Sequence, residues 1–196
     1  MEETIRIIEK PEWVSWEEIH DVIWKSHEAN RGKGMTMTHA AFSGKEIAGF
    51  LAPKGKMFVA VSGSRVIGTI ASVEKKAEFW FGKGVFVYCC FAAVLPEYRG
   101  QGIYGKLMNL QEKVASSQGI DKLLFNTHPE NSRVIQAAAK NGYKKVSFVW
   151  GSDSPWVYMV KWINGAPYSD FRLNVIYGCM KTFRTAGHGL KRLFRR

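Results

Sequence analysis

Val94-Leu95-Pro96-Glu97-Tyr98-Arg99-Gly100-Gln101-Gly102-Ile103-Tyr104-Gly105-Lys106-Leu107 joins two patterns of opposite kind. Upstream, residues 85–94 are almost wholly apolar, as a central strand covered on both faces must be. Pro96 stops that strand. Downstream, Ile103, Leu107, Leu110 and Val114 recur every three or four residues, the stripe of a helix that ends before Gly119. A glycine-rich turn between strand and helix lets several backbone N–H groups face one anion. Glycine permits the close approach, and the helix N-terminus adds a favourable field. Arg99 and Lys106 are candidate charge partners for that anion. A dinucleotide-binding turn is a poor match, because GxGxxG is absent and the upstream order begins wrongly for that fold. No GK[ST] ending is present to hold phosphate and magnesium together, which sets aside a P-loop.

On the N-terminal side, residues 4–9 read as a short strand. Ser15 and Glu18 have capping-box spacing, and Ile19, Val22 and Ile23 begin a buried helical stripe that frays toward 30–34. Ser43 and Glu46 form a second box, opening a shorter helix with Ile47, Phe50 and Leu51 on one side. Residues 57–61 and 65–73 are two strands joined by Ser62-Gly63-Ser64, and 74–84, charged and aromatic, reads as a connection or bent edge. Beyond the central helix, 122–127 is a strand and 132–141 a short helix with Val134, Ile135 and Ala138 inward; Gly142 stops it. Residues 143–150 and 156–163 form a hairpin around 151–155. No internal repeat is visible, and the order of elements is mixed α/β. Residues 164–196 read as an accessory helix, an interface arm or a tail, with Gly178, Gly187 and Gly189 arguing against one continuous helix.

The 196 residues carry 28 Lys and Arg against 17 Asp and Glu, and 46% of them are hydrophobic. That is apolar material for one buried core, which sets aside disorder for the chain as a whole. Three cysteines cannot build a disulfide-rich scaffold, and no zinc-like spacing surrounds them. The first residues have neither a basic start nor an apolar core, and no apolar run reaches the roughly 18 residues of a membrane span. The expectation is a soluble, cytoplasmic domain. Charge is uneven: residues 1–30 hold eight acids and three bases, whereas 161–196 hold one acid and eight bases. A basic centre attracts a polyanion, a phosphorylated metabolite or an anionic membrane, and charge alone does not choose among them.

With strand, turn and helix in place, Val94-x-Pro96-x-Tyr98-Arg99-Gly100-x-Gly102-Ile103 resembles the acyl-coenzyme A signature of the GNAT N-acyltransferase superfamily. Asn131, a short helix and Asn141-Gly142-Tyr143 resemble that family's Asn, helix, Gly-Phe/Tyr segment. The likeness runs from about residue 5 to 163, so 1–163 is taken as the acyltransferase-like domain and 164–196 as a basic, apolar extension docked on it or on a partner. It implies an α/β fold: a central mixed, mostly antiparallel sheet flanked by helices, with a C-terminal extension. It also implies acyl-CoA-dependent N-acyl transfer, with acetyl as the family default, by direct attack of an amine on the thioester and with no metal. The coenzyme contacts so implied are Phe91, Ala92, Ala93, Val94, Arg99, Gly100, Gln101, Gly102, Ile103, Tyr104, Gly105, Asn126 and Asn131. Two departures stand out. Tyr104 occupies a position that is usually small, and Ala138 stands where many members carry a tyrosine that protonates the departing thiolate.

No carboxylate or histidine lies on the central strand, so the catalytic candidates are Tyr88 as a water-linked proton carrier, Cys90 as a covalent alternative and His128 beyond the next strand. Alternation puts Tyr88 and Cys90 on one face of that strand and Cys89 on the other. His27, Glu28 and Asn30, at the end of the first helix, are the acceptor-pocket candidates. His20, His39 and His188 add no metal spacing. The acceptor expected is a small-molecule amine, nucleotide-linked amines included; a protein or a charged transfer RNA is the alternative. Aromatics at 79–81 with Lys75, Lys76 and Lys83 suggest nucleic acid, but they form no recognisable stacking platform. The terminal segment suits peripheral membrane contact or a homodimer contact. A noncatalytic coenzyme-binding or regulatory module is the rival of a different class, kept open by Ala138 and the missing base.

Overall fold

Ser15 caps the first helix: its Oγ accepts the Glu18 N–H at 3.0 Å, and α1 (Trp16–Ser26) follows with Ile19, Val22 and Ile23 buried. One further turn, α2 (Glu28–Arg31), extends it. At α3 (Gly44–Leu51) the box closes in both directions, with Glu46 N–H on Ser43 Oγ at 3.3 Å and Ser43 N–H on Glu46 Oε2 at 2.7 Å. The computed structural model describes residues 4–35, 41–52, 54–79, 82–150, 154–165 and 169–193, with the backbone alone for 170, 183 and 186–193. Trp80, Phe81, His39, the hairpin tip at 151–153, and the side chain of His188 therefore lie outside the described residues.

The strands β1 (Ile5–Glu9), β2 (Gly55–Ser62), β3 (Arg65–Phe79), β4 (Gly82–Val94), β5 (Lys122–Thr127), β6 (Lys144–Trp150) and β7 (Pro155–Trp162) form one sheet in the order β1-β2-β3-β4-β5-β7-β6. Every neighbouring pair is antiparallel except β4 and β5. The mixed, mostly antiparallel sheet implied by the sequence is therefore present. Residues 74–79 are not a connection, however. They continue β3 and pair with β4 as far as Phe79↔Gly82. Their charges, Glu74, Lys75, Lys76 and Glu78, are exposed, while Ala77 and Phe79 are half-buried, the Phe79 ring edge-on to Phe86 at 5.7 Å.

The helices α4 (Ile103–Ser117) and α5 (Ser132–Lys140) flank β5 in the chain, and α6 (Asp170–Leu193) closes it. Side chains that alternate along the strands separate two cores. Val87, Leu123 and Phe125 join the larger cluster with α1, α3 and α4, while Phe86 and Leu124 join Val146, Val160 and Leu173 in a smaller one. Leu173 brings α6 into that second core, 1% exposed. The Tyr177 ring packs edge-on against Phe148, and Arg184 Nη1 donates to the Phe148 carbonyl at 2.6 Å. The three glycines do not break α6: each costs about 1 kcal/mol against alanine, less than the packing that holds the helix on β6.

Candidate functional site

Past Tyr88 and Leu124 the two parallel strands part. They pair only at Val87↔Leu123 and Tyr88↔Leu124, whereas β5 stays bonded to β7 as far as Thr127↔Val157. A cleft opens between residues 89–94 of β4 and 125–127 of β5. On its other side β4 slips register: Thr69 faces Ala93 and Ala71 faces Cys90, so Phe91 and Ala92 together oppose Ile70. This is a β-bulge, the device that re-aims a strand beside a site. Phe91 takes φ +52°, a conformation that costs a bulky residue on the order of 1–3 kcal/mol. The Thr69 hydroxyl donates to the Phe91 carbonyl at 2.7 Å, and the Phe91 ring meets Phe50 of α3 edge-on at 5.4 Å. Those two contacts hold the bulge.

The cleft runs into the first turn of α4. Gly100 and Gly102 have φ of +83° and +73°, and a Cβ at either would meet nothing within 4 Å. Gly102 caps α4 without a side-chain hydrogen bond, so the first-turn N–H groups remain available to a ligand. The groove so formed has a volume of about 940 Å³ and also takes in Ala93, Val94, Ile103 and Gly105. Lys33, Arg99, Arg133 and Lys140 line it, against the one acid Glu130. Sequence reading missed Arg133 and Lys140, although 133, 137 and 140 are spaced to share a helix face. Lys106, the expected partner, is exposed and lies outside the groove. Arg99 is committed to the scaffold: its Nε donates to the Val94 carbonyl at 3.2 Å and its Nη2 to the Ser26 carbonyl at 2.6 Å. Ser26 borders the groove, but its Oγ is sealed from solvent and has no hydrogen-bond partner among the described residues. Open glycines and cationic walls fit a long, phosphorylated ligand such as coenzyme A.

A smaller cavity of about 280 Å³ lies at the bulge, bordered by His27, Tyr88, Cys90 and Asn126. Trp156 and Tyr158 of β7 also line it; no motif marked them in the sequence. The Tyr88 hydroxyl donates to Asn126 Oδ1 at 2.5 Å, and burial pushes that phenol far above its ordinary range. Burial likewise raises the Cys90 thiol well above its usual value, and raises Cys89 to about 12. Thiols so held have no thiolate character at neutral pH. Cys89 borders the same cavity as Tyr88 and Cys90, because an open strand edge, not one sheet face, forms the wall. His27 Nδ1 lies 3.3 Å from Asn30 Nδ2. Burial lowers its pKa to about 4, with help from Arg31 and Arg99 and against a hydrogen bond to the Ala92 backbone.

Asn30 lines the larger groove, and His27, Ala92, Tyr104, Asn131 and Val134 line both cavities. Three candidates, and the position of the missing tyrosine, stand elsewhere. Glu28 and Gln101 are exposed and border neither cavity. His128 is buried beyond β5, its Nδ1 accepting the Glu130 N–H at 3.2 Å, and Ala138 is sealed in the core. Both lie outside the two linings. Among the described residues no group of three or more His, Cys, Asp or Glu could hold a metal ion, and no helix is long and apolar enough to cross a membrane.

Residues 15–143 match the model of the Acetyltransferase (GNAT) family. No curated protein matches the chain at a significant level. Among solved structures, a GNAT-family acetyltransferase from Staphylococcus aureus Mu50 superposes with a TM-score of 0.65 at 16% identity, over 82% of this chain and 99% of that one. The PaiA N-acetyltransferase from Thermoplasma acidophilum, in complex with coenzyme A, gives 0.61 at 17% identity, over 81% and 99%. A GNAT-family acetyltransferase from Elizabethkingia anophelis with acetyl-CoA bound gives 0.56 at 14% identity, over 81% and 97%.

Proposed function

Because this chain belongs to the acetyltransferase (GNAT) family, we propose that it moves an acyl group, acetyl in the first instance, from acyl-coenzyme A to the nitrogen of a small or metabolite-linked amine by direct attack. One observation carries the reading: the open first turn of α4 and the cleft between β4 and β5 form one continuous border through Ala92, Tyr104 and Asn131. The donor substrate brings an already activated thioester, so the protein's task is to bind, align and polarise. Lys33, Arg133, Lys140 and the N–H groups of 100–105 suit the donor's phosphates. The edge of β4 at 91–94, free of a strand on the cleft side, can receive the donor's amide-bearing arm as a strand would and polarise the carbonyl. A cavity of about 280 Å³ holds a small acyl group with the reacting end of an amine; liquid water would fill it with roughly nine molecules at about 30 Å³ each.

Tyr88 and Cys90 keep their protons, which suits neither a base nor a covalent nucleophile. His27, uncharged above about pH 4, borders the smaller cavity and presents no positive charge to an incoming amine, while its neighbour Asn30 lines the larger groove. The amine must be neutral at attack, and none of Tyr88, Cys90 and His27 is suited to take its proton. The test is turnover: purified full-length chain, acetyl-coenzyme A and pooled amino sugars, amino acids, polyamines and peptides, with mass spectrometry for free coenzyme A and a mass-shifted product. An acceptor-dependent product is expected, and Gly102→Val, which puts a branched side chain at φ +73° inside the cradle, should abolish it. Failure to bind coenzyme A would overturn the reading. Tight binding without product from any acceptor would favour the binding-module alternative.

A further inference from the structure

We infer that Tyr104 is the proton donor to the departing sulfur, so that the acid of this chain stands on the first turn of α4. The inference rests on the acyl-transfer reading above. The residues common to the groove and the smaller cavity are His27, Ala92, Tyr104, Asn131 and Val134. They border the passage between donor site and reaction pocket, which is where the breaking bond has to lie. Among these five side chains the polar ones are His27, Tyr104 and Asn131. The Asn131 amide is spent on Thr127 Oγ1 at 3.1 Å, and His27 Nδ1 faces Asn30.

The Tyr104 hydroxyl has no hydrogen-bond partner among the described residues, yet it is not one of the sealed, unsatisfied polar atoms, so it opens on the cavity. Its neighbours are engaged: Tyr88 donates to Asn126, and Tyr143 lies 3.9 Å from the Cys89 sulfur. Burial holds the Tyr104 phenol above its ordinary value, so it carries its proton through the neutral range. The first turn of α4 also favours the negative charge left when that proton goes. The step balances. As the amine nitrogen bonds to the carbonyl carbon, the carbon–sulfur bond breaks and its electron pair goes to sulfur. Tyr104 Oη gives sulfur its proton, and the proton released from the newly acylated nitrogen restores the phenol.

Tyr158 is the competing phenol, since its hydroxyl is also without a hydrogen-bond partner among the described residues, and the residue lines only the smaller cavity. Full-length wild type, Tyr104→Phe and Tyr158→Phe are compared in two ways. Calorimetry and the ultraviolet thiolate band follow the binding and ionisation of coenzyme A itself across pH; turnover uses acetyl-coenzyme A and an amine identified in the pooled assay. Tyr104→Phe keeps the ring and should bind coenzyme A as tightly as wild type. The bound thiol should ionise about one pH unit higher, having lost one hydrogen bond to the thiolate. Its kcat should fall about 100-fold with the acceptor KM unchanged. If Tyr104→Phe leaves both quantities alone, or Tyr158→Phe alone reproduces the effects, the assignment is overturned while the acyl-transfer reading stands. If wild type binds no coenzyme A, both fall together.

Discussion

Phe91 holds a torsion that its side chain disfavours, and a buried hydroxyl helps to offset the strain. Thr69 is fully buried, and its 2.7 Å bond satisfies a carbonyl that the bulge has taken out of the ladder. Thr69→Val keeps the shape and removes the donor. The expected cost is about 2 kcal/mol, or roughly 5 °C in melting temperature, with kcat falling more than KM as the bulge relaxes. Thr69→Ser should recover most of both. Calorimetric melting and turnover on the three proteins decide it: a valine variant as stable and as active as wild type would mean that the Phe50 contact alone holds the strand. None of this was legible beforehand. Phe91 carries no glycine-like mark, and an apolar run such as 85–94 gives no clue that one of its residues is extra.

Elements whose ends are punctuated were legible, and those whose ends depend on a partner were not. The strand at 122–127 agrees to the residue, because Gly119 and Asp121 bound it on one side and Pro129 on the other. The β3–β4 hairpin overran its expected limit, since exposed charges at 74–76 and 78 do not interrupt a backbone ladder. α6 was obscured by its glycines, and the contacts that stabilise it come from β6, far away in sequence. That dependence is testable. Leu173→Ala empties a buried site and should destabilise by about 2–4 kcal/mol. Limited proteolysis read by mass spectrometry should then release residues after β7 faster than in wild type. Coenzyme A affinity should persist, because no described side chain of α6 lines either cavity. A parallel loss of binding would show that α6 shapes the site.

For the whole molecule, part of the positive charge meets the cleft. Of a net charge of +11, Lys33, Arg133 and Lys140 place three positive charges at the groove, so coenzyme A binding should weaken steadily with ionic strength. At a hundredfold excess over Kd the ligand should add about 2.7 kcal/mol of stability, visible as a rise in melting temperature. Replacing Arg133 and Lys140 together by Gln should flatten the salt dependence; an unchanged slope would move the phosphates elsewhere. The glycine turn was readable because its chemistry is local. Trp156, Tyr158 and the Arg133–Lys140 face were not singled out, because only the fold brings them to the cleft. The sheet itself is two antiparallel blocks sewn together by two residue pairs, Val87↔Leu123 and Tyr88↔Leu124. Under tension applied across the strands, that short seam is where the sheet tears first. A ligand lying along the cleft becomes a stitch across it, and the protein's grip on its substrate doubles as its mechanical strength.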